Sequence, residues 1–175
     1  DGGLWAGAWR QQVLNYALAE KIGQDQSARH PGEWFELQLE PQRDGALVTL
    51  ILEEGQRICE RLAQNLECRP DRPVVVALLP DATFLHFSRA PFGYMVPKAP
   101  SYKICLPSPR RRREGARAEA LAPALTHELA HVFVHSLSAG RAPHWLDEGL
   151  AMHFAGEGSE LVEWARRSRE LTHDR

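Results

Sequence analysis

Apolar and polar positions along this chain change period several times, and each change marks an element. From Leu4 to Ile22 the apolar residues Trp5, Trp9, Val13, Tyr16 and Ala17 recur at helical spacing and stop before Gly23. The polar stretch Gln24 to Gly32, with Pro31 and Gly32 at its end, reads as a linker. Phe35, Leu37 and Leu39 alternate with charged or amide neighbours, the pattern of a half-buried strand. Between Leu47 and Leu66 the set Val48, Ile51, Leu52, Ile58, Leu62 and Leu66 returns to helical spacing, despite Gly55 inside it. Val74 to Leu79 is a continuous apolar run between Pro73 and Pro80 and predicts a buried strand. Phe84 to Phe87 reads as a turn or two of helix after an Asp81 cap, and Tyr94 to Val96 and Lys103 to Leu106 as short strands. The remainder is helical, so the expected class is α+β. The expected division is an N-terminal helix and linker over 1–30, then one domain over 31–175 with a helical tail.

Composition narrows the function classes. With 175 residues, 43% of them hydrophobic, the chain can bury one core. A net charge of -2 argues against a general nucleic-acid binder. No apolar run approaches the roughly 20 residues of a membrane-spanning helix, and Asp1-Gly2-Gly3 lacks the basic lead of a signal peptide. Three cysteines, none in a CxxC pair, speak against a thiolate zinc site. Cys59 and Cys68 can bridge only if the chain turns back between them; the simpler reading is three free thiols.

The chemistry lies in the second half. In His127-Glu128-Leu129-Ala130-His131 the two histidines are four residues apart, so on a helix they project from one face, a turn apart. Two imidazoles so placed can reach one zinc ion, and Glu128 flanks the same face without being an obvious ligand. Leu125, Leu129 and Val132 form a stripe turned away from the histidines and predict the packing face.

A second element, Pro143-His144-Trp145-Leu146-Asp147-Glu148-Gly149-Leu150-Ala151, has a proline suited to a helix start and places Glu148 in its second turn. His135 to Ala142, with Gly140, supplies the loop between. His127, His131 and Glu148 make three protein ligands, the number a catalytic zinc uses while keeping a position open.

Other residues read more plainly. Val134 and Leu137 occupy the positions where a metzincin needs glycine and a third histidine, so Met152 is core. His135 is a surface or supporting residue, and Arg110 to Arg113 a solvated loop. Trp5, Trp9 and Trp34 are packing anchors. Asp147 either orients a ligand or is an exposed helix carboxylate.

Together, Thr126-His127-Glu128-Leu129-Ala130-His131 and Trp145-Leu146-Asp147-Glu148-Gly149-Leu150-Ala151 resemble the gluzincin metallopeptidases, in particular the peptidase MA-like domains of bacterial type, relatives of thermolysin and the aminopeptidase N family. The resemblance spans roughly Glu33 to Gly156. It implies a zincin-like fold, a small mixed sheet packed on an active-site helix and a second ligand-bearing helix. It implies one zinc per chain on His127, His131 and Glu148, with Glu128 as general base. The implied activity is hydrolysis of peptide bonds by water that the metal activates, in a peptide or protein substrate. It further implies that Lys103 to Leu106 is an edge strand along which an extended substrate lies.

Departures qualify this. The gap from His131 to Glu148 is slightly short, and no GxMEN motif is present, which favours an endopeptidase over an aminopeptidase. The oxyanion donor does not map; Tyr94, Tyr102, His144, His153 and His173 qualify by type alone. Two alternatives stand beside this reading. One is a non-catalytic zinc-containing module binding a peptide or partner chain, with a possible adjacent domain. The other is a latent enzyme whose terminal segment covers the cleft.

Overall fold

A strand buried on one side and a helix with one apolar stripe must cover each other, and that packing organises this protein. The computed structural model describes residues 28–80, 94–98, 100–109 and 121–158. The expected helix at Leu4 to Ile22, the short helix near Phe84, the Arg110 to Arg113 run and the tail from 159 onward lie outside them.

The element order is β1 (Ala28–Pro31), β2 (Glu36–Leu39), a one-turn helix α1 (Pro41–Asp44) with a 3-10 turn (Gly45–Leu47), α2 (Val48–Leu66), β3 (Val74–Leu79), β4 (Tyr94–Lys98), β5 (Ser101–Pro107), α3 (Leu121–Ser138) and α4 (His144–Ala155). The five strands form one mixed sheet in the order β1-β2-β3-β5-β4. The inner pairs β2–β3 and β3–β5 are parallel; the outer pairs β1–β2 and β5–β4 are antiparallel. The class is therefore α+β, as expected.

Register decides which side chains meet. Leu37 pairs with Val76, and Val76 with Ile104, so these three share a face with Leu39, Val74, Leu78, Tyr102 and Leu106. All of them are buried in one cluster with Ile51, Ile58 and Leu62 of α2 and Leu125, Leu129, Val132 and Phe133 of α3. The stripe Leu125–Leu129–Val132 is thus the packing face, as its spacing predicts. Gly55 explains itself here. A Cβ at that position would lie 2.4 Å from two ring carbons of Phe35, so the helix accepts glycine where β2 enters.

Two expectations need correction. Ala28–Pro31 is not linker but an edge strand, with His30 opposite Leu37. Proline is tolerated there because an edge strand leaves alternate N–H groups unpaired. Lys103 to Leu106 is not an edge. β5 lies between β3 and β4, with Lys103 paired to Val75 on one side and Val96 on the other. The strand on that edge is β4, and α3 packs against both β4 and β5. Among the described residues no helix is long and apolar enough to cross a membrane.

Candidate metal centre

Helix α3 is buried along most of its length, from Leu121 to Val134, because the sheet and α2 cover one side and α4 the other. Pro123 sits in its first turn, where its missing N–H has no intrahelical partner to lose. After Ser138 the chain reverses through Ala139 (φ 51) and Gly140 (φ 71). Pro143 takes an extended conformation as N-cap and is not the first helical residue, so α4 begins at His144, one residue later than expected. The two helices form a hairpin, and every expected ligand lies on it.

His127, His131 and Glu148 are brought together. One ligand-type atom from each lies within 4.8 Å of the others. Nε2 of His127 is 3.6 Å from Oε2 of Glu148, and Nε2 of His131 is 3.7 Å from Oε1. These separations exceed the 2.7–3.2 Å of an ordinary N–H···O hydrogen bond. Ligand atoms of an ion bound tetrahedrally at about 2.0–2.1 Å lie about 3.4 Å apart, close to both histidine–glutamate separations. The rings of His127 and His131 stand edge to face, 4.9 Å between centroids, so neither blocks the other's Nε2. Two imidazole nitrogens and a carboxylate fit zinc by chemistry as well as by distance.

Carboxylates also approach the other ring nitrogens. Oδ1 of Asp147 lies 2.8 Å from Nδ1 of His131, a close approach whose angle is not that of a hydrogen bond, and neither buried atom has a hydrogen-bond partner among the described residues. Asp147 is thus beside a candidate ligand, and its side chain is 28% exposed. On the second histidine, Oε2 of Glu157 is 3.1 Å from Nδ1 of His127. The motifs did not reveal Glu157, because it lies beyond α4 and outside any helical spacing from Glu148.

Glu128 is only 6% exposed. Burial, and then the charges of Glu148, Glu157 and Asp147, push its pKa up to about 8. In the metal-free protein it therefore holds a proton at neutral pH.

The remaining candidates separate cleanly. Tyr102 is fully buried, and its hydroxyl donates to Asp71 at 2.6 Å and meets Nδ1 of His135 at 3.1 Å. Ser136 closes the same cluster by donating to Asp71 at 3.0 Å. Tyr102 and His135 thus tie the end of α3 to β5 and are not at the metal centre. His144 is exposed on the rim, its Nδ1 3.8 Å from Oε1 of Glu148. His153 meets the Phe154 ring edge to face. Tyr94's side chain and His173 lie outside the described residues. Trp34 packs tilted on Phe133 and carries Arg69 4.1 Å above its ring, the anchoring role expected of it. Cys59, Cys68 and Cys105 form no disulfide.

Comparison with family models, curated proteins and solved structures gives no significant match to this chain, so its functional reading rests on this centre.

Proposed function

We propose that this chain is a zinc-dependent metallopeptidase of zincin-like fold, more suited to internal peptide bonds than to free amino termini. The observation that carries the reading is the convergence of both histidine Nε2 atoms on the two oxygens of Glu148 at 3.6 and 3.7 Å, beside a buried carboxylate that belongs to the same motif.

His127, His131 and Glu148 would hold the metal. Zinc bound there supplies a Lewis acid that polarises a carbonyl and acidifies water, and its charge lowers the proton affinity of Glu128. Glu128 then accepts the proton of the attacking water on its carboxylate and delivers it to the amine that leaves. Burial suits it to that exchange, since a carboxyl with a raised pKa holds the proton long enough to pass it on. Asp147 stands on the Nδ1 side of the His131 ring. β4 has no strand on its outer side among the described residues, so its backbone can pair with an extended peptide beside α3.

Metal analysis and a peptide-library cleavage assay test this together. Wild type should carry close to one zinc per chain, and His127→Ala or His131→Ala should lose most of it. Zinc-loaded Glu128→Gln should cleave at least ~10²-fold more slowly, the usual loss when a general base is removed. Undiminished cleavage by that variant overturns the mechanism. Zinc binding with no cleavage by wild type leaves a binding module or a latent enzyme, and only the latter gains activity when the segment before 31 or after Ala165 is removed.

A further inference from the structure

Glu157 belongs to no motif, yet its carboxylate reaches the metal-site histidine farthest from it along the hairpin. Helix α4 ends at Ala155. Gly156 then turns left-handed (φ 72), donating to His153 O at 3.2 Å, and Glu157 N donates to Met152 O at 2.9 Å. That bond pair is the Schellman ending, in which the residue at the position of Glu157 is commonly apolar and packs back on the helix. Here the position carries a carboxylate instead. Gly158 follows with φ 87, so left-handed glycines flank Glu157 on both sides. Glu157 is nine residues beyond Glu148. Were α4 continued, it would stand about 13 Å farther along the axis. The reversal instead returns its Oε2 to 3.1 Å from Nδ1 of His127, whose Nε2 faces Glu148.

The geometry points to Glu157 as a positioning residue. Its carboxylate accepts the Nδ1–H of His127, fixing the tautomer and the ring plane in which a bare Nε2 is presented toward Glu148. Without an acceptor, a neutral imidazole divides its proton between two nitrogens and its ring turns more freely. Asp147 approaches the Nδ1 side of His131 to 2.8 Å, without hydrogen-bond geometry. Among the described residues, only His127 of the two histidines has its Nδ1 hydrogen-bonded to a carboxylate. This inference rests on the metal-site reading. Loss of such a partner costs roughly 10–100-fold in metal affinity. Glu157 is 40% exposed, so water competes for the bond and the lower end of that range applies.

The test uses the full chain as wild type, Glu157→Gln and Glu157→Ala, with two readouts. Zinc affinity comes from competition with a chromogenic chelator. The tautomers of His127 and His131 come from imidazole ¹⁵N shifts of the zinc-free protein, which need neither metal nor activity. Glu157→Ala should weaken zinc about 10-fold and shift His127 from the Nδ1–H form to a mixture, while His131 keeps its form. Glu157→Gln should fall between, because its amide oxygen still accepts the proton. Unfolding would disturb both histidines, so a change confined to His127 is diagnostic. An unchanged His127 tautomer in Glu157→Ala overturns the inference, whatever happens to zinc affinity, as does an unchanged affinity in a wild type that binds zinc. If wild type binds no zinc, the metal-site reading fails by itself, and the ¹⁵N shifts still decide whether Glu157 governs His127.

Discussion

Zinc binding should expel a proton from a residue that is not a ligand. Glu128 is buried and surrounded by three other carboxylates, and in the metal-free protein its pKa is pushed up to about 8. At pH 7 a carboxyl with that pKa is about nine-tenths protonated. A dication held by the neighbouring His127 and His131 favours the ionised form, so that proton leaves when the metal arrives. The difference between wild type and Glu128→Gln isolates the proton that Glu128 contributes. Calorimetric zinc titration of the chelator-treated proteins, in buffers of different ionisation enthalpy, counts the protons. Wild type should release about 0.9 more than Glu128→Gln at pH 7, and only about 0.1 more at pH 9, where Glu128 is already ionised. The same shift governs stability. A raised folded-state pKa favours folding below the ordinary carboxyl pKa, and that advantage is lost as pH rises through about 8. Metal-free wild type should therefore weaken relative to Glu128→Gln by up to about 1.4 kcal/mol per pH unit across that window. Equal proton release by both proteins at pH 7 would refute the reasoning.

Three further predictions follow from packing and ligation. Gly55→Ala gains about 1 kcal/mol of helix propensity but drives a methyl to within 2.4 Å of the Phe35 ring. Overpacking of about 1–3 kcal/mol should win and lower the melting temperature; a higher one would sink the close-packing argument. Glu148→Ala should weaken zinc at least ~10-fold in chelator competition, because two imidazoles alone leave the tetrahedral site incomplete; wild-type affinity would remove Glu148 from the ligand set. Burial, with Glu60 nearby, pushes the Cys59 thiol up to about 12, so in the native protein it should resist a thiol reagent that labels it rapidly in denaturant. Equal rates in both conditions would contradict that burial.

Much of this arrangement was legible because local chemistry and long-range packing agree. Val74–Leu79 was bounded by its prolines, and the helix Val48–Leu66 differs from its apolar period by one residue. The pairing of His127 with His131 was legible for the same reason: a four-residue spacing fixes a helix face before any tertiary contact exists. The misreadings lie where spatial order departs from chain order. β4 precedes β5 in sequence but adds to its outer side antiparallel, and nothing in either strand's composition announces that insertion. β1 was hidden because four residues ending in proline satisfy few ladder bonds and look like a linker. Glu157 was hidden because a carboxylate between two glycines signals a turn and does not say what the turn reaches.

The two helices of the hairpin differ greatly in what anchors them. Eleven residues of α3 between Leu121 and Val134 are buried, whereas α4 has one fully buried residue, Ala151. Trp145, at the start of α4, is 74% exposed, and beyond Ala151 the helix leans on a partly buried Phe154 whose carbonyl accepts from Arg61 at 3.2 Å. Cooperative units with few apolar contacts open first. An ion bonded to both helices therefore stabilises the weaker of them by mass action, more as its free concentration rises above its dissociation constant. If the cluster holds zinc, amide exchange in α4 should gauge metal availability, while the sheet and α3 should exchange on the slower clock of the whole fold. Removing zinc would then leave an intact scaffold with one loosened flap, which a protease can cut before the rest of the protein unfolds.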